Sequence, residues 1–180
     1  MREWVPVSTS PKGRLAVRAL AEFGRRPYLE VTVGELAEGA GVTTGSLYHH
    51  FENKLGLYSF VRDEAERRLL DRMQGAAAAA AADGVPAALR AALLVGFDFA
   101  VGQEFVRLLG EAHPARDQDP VALVLAEISD SGPVPVGALL AAAWRAALMS
   151  VTGGVSPEHS RDALESLSVG PVTGHRRPVR

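Results

Sequence analysis

Residues 32–54 read TVGELAEGAGVTTGSLYHHFENK, and this stretch leaves the chain little structural choice. Val33, Leu36, Ala37 and Ala40 recur at i, i+3, i+4 and i+7, the spacing of one helix face. Thr32 and Glu35 form a capping box at its start, with Val31 and Leu36 placed as the hydrophobic staple. Gly41 can take the left-handed conformation that ends this helix and turns the chain sharply. Thr43 then caps a second helix over 44–50, in which Leu47, with Phe51 just beyond, returns to the core. The other stripes, Thr44/Tyr48, Gly45/His49 and Ser46/His50, are polar or aromatic and are not needed for packing. Two short helices across a tight turn, with an unspent face on the second, make a helix-turn-helix.

The rest of the chain is patterned for helices as well. Residues 1–10 contain Pro6 and no periodicity, and read as a loose arm. Ser10-Pro11 is an N-cap with proline at the first helical position. The helix it opens runs to about residue 25, burying Ala16, Leu20 and Phe23. Asn53 caps a fourth helix that carries Lys54 in its first turn, with Leu57, Val61, Ala65 and Leu69 as its stripe. Alanine has the best helix propensity, so this helix is expected to continue through the alanine run to Asp83-Gly84. Further helices are expected over 86–101, 103–112, 120–129, 136–151 and 157–169. The final segment, 170–180, has two prolines, two glycines and three arginines, and reads as a disordered basic tail. With no strand pattern and no repeat, the expectation is an all-α chain. It divides into an arm (1–10), a helix-turn-helix domain (11–53), a helical regulatory and dimerisation domain (54–169) with the fourth helix as connector, and the tail.

The helix-turn-helix segment resembles the DNA-binding domain of the TetR/AcrR transcriptional regulators. The resemblance is carried by Phe23, Tyr28, Thr32, Val33, Leu36, Ala37, Ala40, Gly41, Val42, Thr43, Gly45, Leu47, Tyr48, His50, Phe51 and Lys54. The departures are Pro27 for a usual glycine, Val31 for a small hydroxyl residue, and Gly39 and Thr44 where Lys or Arg is common. The last two remove candidate phosphate contacts. The resemblance implies that Thr44, Gly45 and His49 face bases, that Tyr48 reaches a phosphate or base edge, and that Thr32, Ser46, His50 and Lys54 hold the backbone. Thr43 belongs to the same DNA-facing set and is a cap besides. Physically, Thr32 and Lys54 sit in first turns, where free N–H groups and the helix dipole favour an anion. An α-helix fits the major groove, where base edges are distinguishable.

Charge alone would not point to DNA. The formal net charge is −2; residues 1–60 hold seven Lys and Arg against six Glu, so the remainder carries −3. The chain has no cysteine, which removes disulfides, thiolate metal sites and cysteine catalysis. No metal-ligand spacing, nucleophile–base pair or phosphate loop appears, so neither an enzyme nor a cofactor is expected. No apolar run is read as a membrane span and no secretion signal is seen, which points to a cytoplasmic protein.

A helix-turn-helix reads a short half-site, so a homodimer on a palindromic operator in double-stranded DNA is expected. In the family the last two long helices of each chain pair, which places Leu140, Trp144, Leu148, Leu164 and Leu167 at the dimer interface. The family's middle helices commonly enclose a cavity for a small-molecule effector, with Phe97, Phe99, Phe105 and Trp144 as candidate walls. The resemblance thus implies a repressor released from its operator by a ligand. The alternative is a helical adaptor on the same fold that works through protein contacts without specific DNA binding.

Overall fold

The computed structural model describes residues 9–130 and 135–167. Most of the expected arm, the expected tail and residues 168–169 lie outside the described residues. Among those described the chain is all-helical: α1 (Pro11–Arg25), α2 (Val33–Gly39), α3 (Thr44–Phe51), α4 (Lys54–Ala80), α5 (Val85–Gly102), α6 (Val106–Gly110), α7 (Pro120–Ser129), α8 (Val136–Thr152) and α9 (Pro157–Glu165), with single 3-10 turns at Tyr28–Glu30 and Ala81–Asp83.

The helix starts follow their caps. The side chains of Ser10, Thr32, Thr43, Asn53, Asp119 and Ser156 each accept a bond from an N–H of the first turn. Two expected helices come out shorter. Gln103 closes α5 and Glu104 takes φ 61°, so only Val106–Gly110 remains of the helix expected over 103–112. The last helix ends at Glu165, with Ser166 as its cap, and Leu167 lies beyond it, exposed.

One hydrophobic core runs from Leu15 in α1 to Leu164 in α9. It crosses the division expected at residue 53 without a break. Gly24 marks the joint between α1 and the α5–α6 turn, because a Cβ there would stand 2.5 Å from the Glu104 carbonyl oxygen. The α5 helix is long and apolar enough to cross a membrane by length and composition, which the sequence reading passed over. Here its buried face, Leu89, Ala92, Leu93, Gly96 and Phe97, is part of that core.

The expected dimer contacts need correction. Leu140, Trp144, Leu148 and Leu164 are buried within one chain, so they cannot meet a second chain without leaving the core. The reason is helical phase: α8 turns Val136, Leu140, Ala141, Trp144 and Leu148 inward, packing on α6, α7 and α9. At Gly137 the α7 backbone comes so close that a Cβ would stand 2.2 Å from the Ala122 carbonyl oxygen. The outward face holds Ala138, Leu139, Ala142 and Ala146, with Leu139 66% exposed.

Candidate nucleic-acid interface

The turn between α2 and α3 is built as its residues dictate. Ala40 caps α2, Gly41 adopts φ 63°, and the Val42 N–H donates to the Ala37 carbonyl at 3.0 Å. Thr43 then starts α3, its hydroxyl oxygen accepting from the Ser46 N–H at 3.2 Å. Leu47 and Phe51 are buried, which fixes the rotation of α3 on the core. That rotation leaves Thr43, Thr44, Gly45, Tyr48 and His49 exposed and Ser46 and His50 half-buried. Tyr48 is 53% exposed, an unusual position for a large ring. Gly45 is equally telling: a Cβ there would meet only the Thr43 hydroxyl, at 3.7 Å. Nothing among the described residues requires a glycine at this point.

The C-terminal end of α3 is held tightly. Glu52 takes φ 65°, and its N–H donates to the Tyr48 carbonyl at 2.9 Å. A Cβ at Gly56 would lie 2.1 Å from the Phe51 carbonyl oxygen, so glycine is what lets α4 start against α3. Sequence spacing gave no sign of this.

Two residues expected to grip phosphates are already engaged. The Thr32 N–H and hydroxyl both donate to the Glu35 carboxylate at 2.8 Å, completing the capping box. These bonds, with Arg26 at 3.1 Å, hold the Glu35 carboxyl below the usual carboxylate range. A carboxylate therefore already occupies the start of α2 where a phosphate was expected. The Lys54 ammonium donates to the Tyr28 carbonyl at 2.9 Å and the Val31 carbonyl at 3.0 Å, and lies 4.2 Å from the Tyr28 ring centroid. It works inward, tying α4 to the segment that enters α2.

The departure at Gly39 has a partner that sequence reasoning missed. The Arg18 guanidinium of α1 lies over Gly39, where a Cβ would come 2.3 Å from its Nε. Beside it, Arg14 donates from Nε to the Ala40 carbonyl at 3.0 Å. The Arg18 guanidinium, paired with Glu22 at 2.8 Å, thus covers the spot where α2 lacks a side chain.

Residues 16–59 match the profile of the bacterial regulatory proteins of the tetR family. By this match residues 16–59 are a TetR-family domain. It is also 42% identical over 62 residues to the HTH-type transcriptional repressor KstR2 of Mycobacterium tuberculosis, in strains CDC 1551 / Oshkosh and ATCC 25618 / H37Rv. That stretch is 34% of this chain and spans 29% of the length of each relative. The likeness therefore concerns the TetR-family domain, and the chain beyond it rests on its own geometry.

Beyond the TetR-family domain a cavity of about 260 Å3 opens between α4, the loop over 111–119, α7 and α8. Its charged wall is Arg62, Glu66, Arg116, Asp117, Asp119 and Arg145, with His113 among them. The aromatic residues expected to wall a pocket do not line it. Phe97, Phe105 and Trp144 are buried in the core, and Phe99 is half-buried against Phe105 and under the Arg72 guanidinium. Arg62 and Glu66 form a buried pair at 2.9 Å, and Arg62 also donates to the Tyr58 hydroxyl at 2.7 Å. The Tyr58 ring in turn packs edge-on against Phe23 and Tyr28 of the TetR-family domain, at 4.9 Å each.

Proposed function

We propose that this chain is a homodimeric repressor that reads a palindromic operator through α3 and leaves it when a small molecule binds beyond the TetR-family domain. The observation that carries the reading is the α3 surface. Thr44, Gly45, Tyr48 and His49 form one exposed face on a helix whose Leu47 and Phe51 anchor it to the core. In this reading Thr44, Gly45 and His49 meet base edges, Tyr48 lies across a base or phosphate, and Thr43, Ser46 and His50 contact the backbone. Phosphate contacts set register and base contacts set sequence. Thr32 and Lys54 stand behind this surface as supports. The outward face of α8 at Leu139 and Ala146, beside the cavity-lining Ala138 and Ala142, is the proposed dimer surface and replaces the buried leucines. Two α3 helices in successive major grooves would then lie about 34–36 Å apart. The cytoplasm, where such an operator is found, is the proposed location.

The test is selection from a random double-stranded DNA library, run beside Tyr48→Ala. A palindrome enriched by the natural chain and not by the folded variant is the expected result. Enrichment of the same sequence by both would remove Tyr48 from the reading face. No enrichment by the natural chain at low salt would favour the adaptor instead.

A further inference from the structure

Three guanidinium groups reach the cavity beyond the TetR-family domain, and they differ in how firmly they are held. Arg62 is buried and fixed between Glu66 and Tyr58. Arg145 makes a two-point bond to Asp119, at 2.8 and 2.7 Å, and also donates to the Leu109 and Glu111 carbonyls. Arg116 is different. It reaches in from the irregular 111–119 loop and donates to Glu66 and to Asp63. The Asp63 side chain is 56% exposed, so water takes it back at little cost if it lets go. His113 lines the same wall, its Nε2 3.1 Å from the Ser59 hydroxyl. Burial, then Arg116 and Arg62, hold its imidazole below the usual histidine value against the weaker opposing pull of Glu66 and Asp63.

We propose that this cavity binds a small molecule bearing one carboxylate, which replaces Asp63 on Arg116. The guanidinium fork suits a planar carboxylate. The remainder of the molecule lies against Ala122, Ala138 and Ala142, the apolar part of the wall. A volume of about 260 Å3 falls below the usual range for drug-sized ligands, so the acid is small. Its charge arrives beside Glu66, whose other oxygen holds Arg62 and through it Tyr58. The binding step stands on this geometry alone. Only its effect on DNA rests on the repressor reading.

Calorimetric titration of the DNA-free protein with acetate, benzoate and phenylacetate, each beside its uncharged amide, tests the site. At least one acid is expected to bind about tenfold or more tightly than its amide, a difference of about 1.4 kcal/mol. Asp63→Asn, which removes the resident competitor from an exposed position, should tighten that acid several-fold. Arg116→Gln should abolish its binding, while Arg116→Lys should retain part of it. Equal binding of acid and amide, unchanged binding in Arg116→Gln, or no binding of any acid at millimolar concentration by the natural chain and Asp63→Asn alike would each overturn the proposal. An acid that binds as expected but leaves operator affinity unchanged would remove the release step and keep the site.

Discussion

Replacing Lys54 by Met separates two accounts of this residue, because the stem is kept and only the ammonium is lost. If Lys54 is a phosphate ligand, the DNA-free protein loses nothing. The structure says otherwise: the ammonium bonds two carbonyls and sits on the Tyr28 ring. Hydrogen bonds made by a charged group contribute about 1.5–3 kcal/mol each in favourable settings. A cation–π contact at a half-wet site adds about 0.5–1 kcal/mol. Lys54 is half-buried, so water recovers part of this on its loss, and the net cost is about 2–3 kcal/mol. For a chain of this size each kcal/mol moves Tm by about 2–4 °C, giving a fall of roughly 4–12 °C. Thermal unfolding of the DNA-free variant measures this directly. On DNA, the salt dependence of operator affinity should keep its slope, whereas a lost phosphate contact lowers it by about 0.9. An unchanged Tm together with a reduced slope would refute the argument and return Lys54 to the phosphate list.

Other substitutions probe the remaining parts. Gly45→Ala has room for its methyl group and gains helix propensity, so it should stabilise the chain by about 0.5–1 kcal/mol while weakening operator binding about tenfold or more. Unweakened binding would mean that α3 does not approach DNA closely there. His113 accepts from the Ala115 N–H at Nδ1 and so donates from Nε2 to Ser59, an arrangement that needs the neutral ring. Its folded pKa is lowered, so its contribution is complete above the unfolded value of about 6.5 and is lost as pH falls through the lower folded value. His113→Gln should therefore flatten the loss of Tm in that acidic window, and an identical slope would show that the ring does not titrate there. Leu139→Glu, on the outward face of α8, should give a folded monomer by sedimentation with Tm lowered only by loss of the partner; a persistent dimer would place the interface elsewhere.

The helix-turn-helix was legible because its determinants are local. Caps lie within three residues of the N–H groups they serve, and the i, i+3, i+4 pattern places Leu36, Leu47 and Phe51 inward without reference to the rest of the chain. The fate of Lys54 was not legible, since Tyr28 and Val31 are 26 and 23 residues away and offer only their carbonyls, which every residue has. Nor did α8 reveal its inner face. A helix apolar nearly all round carries little phase in its sequence, and packing against α6, α7 and α9, closest to α7 at Gly137, sets which leucines turn inward. The polar cavity was missed for a similar reason: Arg116 finds Asp63 and Glu66 across 53 and 50 residues, through a loop with no periodicity.

These misses converge on α4, which is 27 residues long and touches both ends of the problem. Its first turn carries Lys54, bonded to the segment that leads into α2. One turn on, Tyr58 packs on Phe23 and Tyr28, and the next two turns carry Arg62 and Glu66 to the cavity and Asp63 to Arg116. A ligand can shift an equilibrium only by its differential affinity for the two states. Arg62 is bonded to Tyr58 at 2.7 Å, and Tyr58 contacts the ring of the same Tyr28 whose carbonyl holds Lys54. A displacement of Arg62 large enough to matter must therefore be absorbed within two turns of helix, or else be felt at the Lys54 bonds. The tightness of that clasp then sets how much of the ligand's binding energy reaches the two reading helices.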